Sequence, residues 1–344
     1  MRRYALRFLP LLVLALLLLL VRSYLNQSSS YTGPSQTPQM PLAYSPFEIG
    51  PALYGVAMVS SQDVWAVGGS FKAVSNQRNT LRMVVPEQGQ ILHYQDDSWV
   101  AYASFPVPLL AISMSSAHDG WAVGYAGQLA HFDGHNWQAE RASTSATLCS
   151  VVMLSEQEGW ASGYGGTILH YHDHHWQVVA SPTNNDVLSL KMLSTQEGWA
   201  VGENGTILHY SQGIWRNFAS PTSHTLNDLS MLSADEGWAV GNQGIILHYR
   251  QGIWSPVQMS SPGNDTPALL GVVMNTVHSG WIIGKQSMLT YDREVWQFPS
   301  ASLDGVPPAL YALAMHTPNE GWAVGERNVI YHYQSGHWKI VYTQ

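Results

Sequence analysis

The chain has 344 residues, enough for one large domain or two ordinary ones and for a substantial core. Charged residues make up only 11% of it, against roughly 25% in an average soluble domain, while 14 Trp and 30 Gly point to a turn-rich all-β protein. The single cysteine, Cys149, excludes an intramolecular disulfide framework and a Cys-based zinc site.

The first element in chain order is "MRRYALRFLPLLVLALLLLLVR", where Arg2, Arg3 and Arg7 precede an apolar run from Phe8 to Val21 and Arg22 follows. A basic flank before an apolar core is the pattern of an export signal. With Tyr4 included and Arg7 snorkelling, residues 4–21 approach the roughly 20 residues of a spanning helix. No small-x-small cleavage site follows. Residues 1–22 are therefore predicted to form an N-terminal hydrophobic helix that acts as a signal anchor, the alternative being a cleaved signal peptide. Positive residues stay on the cytoplasmic side, so the remainder is expected on the extracytoplasmic side of the cell membrane, or secreted if cleavage occurs. Setting aside Arg2, Arg3, Arg7 and Arg22 leaves 11 cations facing 23 anions. That balance excludes nucleic acid as a partner, because phosphate binding needs a basic surface. Residues 23–50 are rich in Ser, Pro and Gln without periodicity and read as a linker off a membrane.

From residue 51 to 344 the chain repeats. The first tryptophan of each unit falls at Trp65, Trp121, Trp160, Trp199, Trp238, Trp281 and Trp322. The second falls at Trp99, Trp137, Trp176, Trp215, Trp254, Trp296 and Trp338. All fourteen are used, two in each of seven units, at a period near 40. Unit 4 divides into the strand-like pieces "VLSLKML", "GWAVG", "TILHY" and "WRNFA", with Asn204-Gly205 as a tight hairpin signal. Four short antiparallel strands per unit predict an all-β fold, a seven-bladed β-propeller of four-stranded antiparallel blades. The tryptophans are then wedge fillers between blades. Met58, Met114, Met153, Met192, Met231, Met274 and Met315 recur on the innermost strand, three residues after Gly55, Ala111, Ser150, Ser189, Asp228, Gly271 and Ala312. The latter set faces the narrow part of the wedge, and the phase of Cys149, Val151 and Met153 is expected to fill the wider gap. The chain enters at the inner strand of blade 1 and leaves at the outer strand of blade 7. The ring is thus expected to close by side-chain packing without a shared strand, unless part of 41–49 adds one.

The unit "GWAVGxxGTILHYxxGxW" resembles the propeller family of photosystem II assembly and stability factors, whose repeats are akin to bacterial neuraminidase (Asp-box) repeats. Its carriers here are Gly198, Trp199, Gly202, Gly205 and Ile207-Leu208. At the third-to-fourth-strand turn the family has a Thr-x-Asp-Gly-Gly-x-Thr-Trp type segment, which the shorter "HYSQGIW" lacks. The resemblance implies an exported, non-catalytic propeller that acts on membrane-protein assembly, here as a non-photosynthetic bacterial relative.

Catalysis would take the form of a sialidase-like glycosidase, with converging arginines, a Tyr nucleophile and an acidic pair. The seven propeller arginines are scattered instead, so no enzyme and no cofactor are expected. An envelope glycan-binding propeller using exposed aromatics is the alternative to protein binding. The repeated His of "ILHY" reads as a half-buried structural residue. In "HYHDHHW", His170, His172, His174 and His175 form a weak metal candidate. Lys191 and Asp228, charges on neighbouring inner strands, are expected to pair near the axis.

Blade 1 is irregular. Between Gly68 and Gly89, where other blades have two residues, it inserts "GSFKAVSNQRNTLRMVVPEQ". This long loop on a rigid scaffold is a candidate binding element. It carries Lys72, Arg78 and Arg82, while the matching turns of blades 7 and 6 carry Arg327 and Lys285. These five cations would form one docking sector for a protein partner with an acidic surface, a membrane protein included. Phe71, Val84 and Val85 are the expected apolar anchors. The turns "SQD", "AHD", "SEQE", "TQE", "ADE" and "PNE" make the opposite face acidic.

Overall fold

The computed structural model describes residues 40–41, 50–75, 82–258, 266–292, 294–298 and 307–342, with the backbone alone for Met40, Pro41, Ser75, Arg82 and Met83. The expected helix and membrane span at 4–21 lie outside these residues, as does Arg78. Among the described residues seven antiparallel sheets, each built on four consecutive strands, follow one another as blades, and the sheet of blade 1 gains a fifth, two-residue strand at Met40–Pro41. Blade 4 is representative, with strands Val187–Ser194, Glu197–Gly202, Ile207–Ser211 and Ile214–Asn217. The inner strand of blade 1, Gly50–Ser60, packs against the inner strands of blades 2 and 7 (Leu109–Met114 and Leu310–Thr317), so the seven blades form a closed ring. Turns between second and third strands share one face with the entries to the inner strands, here the upper face. Turns between first and second and between third and fourth strands share the lower.

Two glycines of blade 4 have distinct steric reasons. In blade 4 the turn at Asn204 (φ 55°) and Gly205 (φ 69°) takes the left-handed conformation at both central positions, as the hairpin signal predicted. Gly202 has an ordinary extended backbone, but a Cβ there would lie 1.9 Å from the Asp186 carbonyl oxygen. That carbonyl accepts the Glu203 N–H at 2.9 Å, locking the entry of the inner strand to the hairpin.

The tryptophans fill the wedges. Trp160 of blade 3 meets Tyr210 and Trp215 of blade 4 at 4.7 and 5.8 Å, and Trp199 meets Tyr249 and Trp254 of blade 5 at 4.7 and 5.8 Å. The same contact closes the ring: Trp322 of blade 7 meets Tyr94 and Trp99 of blade 1 at 4.7 and 5.3 Å. Among the described residues no strand is shared across that seam, where Ala52 and Glu326 form an isolated antiparallel bridge. It is held by this packing, by the Arg327 N–H donating to Pro51 O at 3.0 Å, and by Gln90 Nε2 donating to Asn328 Oδ1 at 2.8 Å.

The repeated histidines are structural, and their partners are the acids of the lower turns. His93, His131, His170, His209, His248 and His332 contact Asp63, Asp119, Glu158, Glu197, Glu236 and Glu320 at 2.5 to 2.8 Å. Each ring also stacks on the first tryptophan of its blade at 3.7 to 4.3 Å. This corrects the picture of a lower acidic face, since the last acid of each of these turns is tucked against its histidine. Blade 6 replaces both partners, with Ser279 and Thr290 at the two positions. Its Trp281 is 7% exposed, where the other six first tryptophans are at 2% or less. Ser279→Glu combined with Thr290→His is expected to restore the clamp. Urea unfolding should show the double variant more stable than the sum of the single changes by about 1 kcal/mol. Strict additivity would refute the clamp.

The inner strands depart from simple alternation. Each has a bulge that leaves one residue unopposed near its start, at Leu188 in blade 4 and Cys149 in blade 3. The seven bulge residues, Tyr54, Leu110, Cys149, Leu188, Asn227, Leu270 and Tyr311, therefore turn to the axial channel and line it together. Cys149 does not fill the inter-blade gap as its alternation suggested; Val151 and Met153 do. Burial pushes the Cys149 thiol far above its ordinary range, which disfavours the thiolate. Lys191 and Asp228 both line the channel but form no ion pair. The Asp228 carboxylate is committed elsewhere: it accepts the Ser189 hydroxyl at 2.7 Å and the Val272 N–H at 2.9 Å, joining blades 4, 5 and 6. Ser113, Ser150 and Ser230 similarly accept N–H groups of the next inner strand at 3.0 to 3.2 Å.

Candidate functional site

The described residues of the insertion in blade 1, on either side of 76–81, form a two-stranded antiparallel ladder. Its strands, Asp63–Ser75 and Arg82–Gln95, run to 13 and 14 residues, and their pairing continues out to Ser75 opposite Arg82. The ladder slips once between Ser70 opposite Gln88 and Phe71 opposite Pro86, which leaves Glu87 unopposed. A proline, which has no N–H to give a ladder, is tolerated at such an irregularity. The short strand Met40–Pro41 adds to the far side, with Met40 opposite Val84 and Pro41 opposite Met83.

What stiffens the hairpin is the residue expected to be its anchor. Phe71 is 1% exposed and packs edge-on against Tyr54 and Tyr125 at 6.1 and 5.9 Å, with Val84 and Val107 completing the cluster. Phe71 and Val84 are therefore not surface anchors; they fasten the hairpin to blades 1 and 2. Burial in this cluster pushes the Tyr125 phenol up. Val85 is half-buried.

The cations are distributed unequally. Lys72 is exposed and its Nζ lies 3.1 Å from Glu87 Oε1, a carboxylate that the bulge at Glu87 brings alongside. Arg327 sits in the blade 7 turn at φ 57°, is well exposed, and has Glu326 at 3.6 Å. Exposed pairs of this kind contribute little to stability. The hairpin base and the blade 7 turn are neighbours, since Gly69, Ser70, Gln88, Gln90, Pro51 and Asn328 line one polar cleft between them. Lys285 is not gathered into that sector. It lines the channel mouth with residues of blades 3 to 5.

The histidine-rich turn of blade 3 does not converge on a metal site. His170 is held by Glu158, His172 contacts Asp173 at 3.2 Å, and the His175 Nδ1 faces the Asp173 carbonyl oxygen at 2.7 Å. Among the described residues no three His, Cys, Asp or Glu side chains are grouped to hold an ion. Nor are the tryptophans sugar platforms. Thirteen of the fourteen are at 9% exposure or below, and Trp99, only half-buried, is taken up in the seam.

Comparison with known proteins agrees with the resemblance carried by the repeat. The family model described as photosynthesis system II assembly factor YCF48 matches residues 171–270, from the third strand of blade 3 into the inner strand of blade 6. Among solved structures, YCF48 bound to a D1 peptide is 15% identical with a TM-score of 0.63, covering 88% of this chain and 98% of that one. YCF48 from Cyanidioschyzon merolae is likewise 15% identical at a TM-score of 0.63, covering 87% and 99%. The WD40 β-propeller domain of Doa1 is 10% identical at a TM-score of 0.64, covering 89% and 98%. At these identities the likeness establishes the fold. No curated protein matches the chain.

Proposed function

We propose that this chain is an exported, membrane-tethered, non-catalytic propeller that binds another protein, in the manner of an assembly factor, and that the hairpin of blade 1 is its reader. The observation that carries this reading is the hairpin itself. The other six blades turn at the same place with two to four residues, so the ring does not need the extension. Yet it is built as a ladder and bolted down by Phe71, the arrangement expected of a surface that must be presented rigidly. Lys72, Arg82 and Arg78 belong to it by sequence, and Arg327 lies across the polar cleft at its base. These cations suit a partner with an acidic surface and add electrostatic steering. A solved propeller of similar fold is bound to a D1 peptide, which supports a polypeptide as the class of ligand.

The expected result is that replacing residues 72–87 by Asn-Gly, with Phe71 retained, abolishes capture of the partner, and that Arg78→Glu with Arg82→Glu weakens it in a salt-dependent way. Undiminished capture by both variants would refute the hairpin as reader.

A further inference from the structure

The upper mouth of the channel holds a cleft that the hairpin reading does not use. Tyr164, Asp186, Glu203, Asn227, Asn242 and Lys285 line it, drawn from four consecutive blades. It is continuous with the channel, since Leu188, Asn227 and Leu270 line both.

Comparison of the blades with one another isolates what is special here. The residue just before the inner strand's first core position is Ala52, Pro108, Thr147, Thr225, Ala268 or Ala309 in six blades, and Asp186 in blade 4. Of the seven channel-facing bulge residues, Asn227 of blade 5 alone bears an amide; Tyr54, Leu110 and Tyr311 make the opposite wall apolar and aromatic. The other blades meet the same geometry mostly with Ala or Thr at the first position and with Leu, Tyr or Cys at the second, so the backbone course of a blade does not itself require a polar side chain at either. Asp186 makes one local bond, its Oδ1 accepting the Gly165 N–H at 2.8 Å, while the Asn227 amide donates both to Asn242 Oδ1 at 3.0 Å and to Leu269 O at 2.7 Å, so the carboxylates are the groups left to face a ligand. Among the described residues neither Asp186 nor Glu203 has a cationic partner within ion-pair reach. The Tyr164 phenol beside them is pushed up, chiefly by burial and then by Cys149, Asp186, Tyr125 and Glu203.

We propose that this cleft is a second docking site, which takes an extended polypeptide segment with its lysine or arginine side chain against Asp186 and Glu203. The inference rests on the protein-binding reading above and adds a feature of the same partner: an acidic surface for the hairpin sector and a basic side chain for the mouth. A guanidinium satisfies a carboxylate through two parallel hydrogen bonds, and the cleft's continuity with the channel gives the rest of an extended segment room to run.

The test uses the full chain in detergent and a fluorescein-labelled Gly-Ser nonapeptide carrying two arginines, with a two-glutamate counterpart, in anisotropy titrations at low ionic strength. The expected result is saturable binding of the arginine peptide alone, at least tenfold weaker in the Asp186→Asn, Glu203→Gln double variant. These isosteric changes keep an acceptor for the Gly165 N–H. The hairpin-shortened chain is expected to bind the peptide as the parent does, which separates this inference from the hairpin reading. No binding, equal binding of both peptides, or an unchanged affinity in the double variant would overturn the proposal.

Discussion

Gly202→Ala is expected to destabilise the propeller by about 3 kcal/mol, at the upper end of what overpacking costs. The added Cβ would meet the Asp186 carbonyl oxygen at 1.9 Å, and that atom is backbone, unable to swing aside as a side-chain tip does. Relief requires the inner strand of blade 4 to part from its hairpin, which also breaks the bond from the Glu203 N–H. Every blade repeats the contact, with Gly163 at 2.1 Å from Thr147 O and Gly325 at 2.1 Å from Ala309 O, so the loss should recur at those positions. Gly213→Ala is the control. A Cβ there meets nothing within 4 Å, and the cost is the roughly 1 kcal/mol of placing alanine at φ +79°. Urea unfolding of the two variants measures the difference. Equal losses would mean that backbone conformation, not the close approach, dictates glycine at the end of "GWAVG".

Trp322→Ala is expected to cost about 3–5 kcal/mol, as truncation of a buried tryptophan does, and to do so in a particular place. Trp322 is 1% exposed and supplies packing between blades 7 and 1 across a seam that no described strand spans. Its counterpart Trp160 sits between blades that the chain joins directly, through the segment after the outer strand of blade 3. Hydrogen exchange should therefore show the seam strands Gly50–Ser60 and Glu320–Gly325 opening ahead of the rest in Trp322→Ala. Trp160→Ala should loosen its own wedge while the seam stays protected. If both variants open the seam equally, closure depends on the seam's backbone and amide bonds more than on the tryptophan.

The parts of the fold visible in the sequence were those that the ring imposes seven times. Trp199 and Gly202 each serve a contact that recurs in every blade, and the left-handed pair at Asn204-Gly205 recurs in blades 2, 3, 5 and 7, so the periodicity exposes them. The partners of the repeated histidines are equally periodic, but in the sequence the acids read as a charged rim. The telling signal was blade 6, where Ser279 and Thr290 change together. Two other features were hidden for physical reasons. A bulge inverts the alternation of the inner strand, and nothing in "LCSVVM" distinguishes Cys149 as a channel residue from Cys149 as wedge filler. The hairpin of blade 1 is ordered by contacts between Phe71 and Tyr125, which are far apart in the chain and belong to different blades. Composition alone does not separate such a ladder from a loop. The candidate site changed accordingly: Phe71 moved from surface to core, Lys72 acquired Glu87, and Lys285 moved from the hairpin sector to the channel mouth.

The measurement that tests the central claim most directly is cross-linking mass spectrometry in the native membrane, comparing the intact chain with one whose residues 72–87 are replaced by Asn-Gly. The hairpin as reader predicts an identified membrane protein cross-linked to the intact chain, with contacts clustered on the upper face around blades 7 and 1, and absent from the shortened chain. The same neighbours captured by both chains, or contacts centred on the lower face, would contradict it.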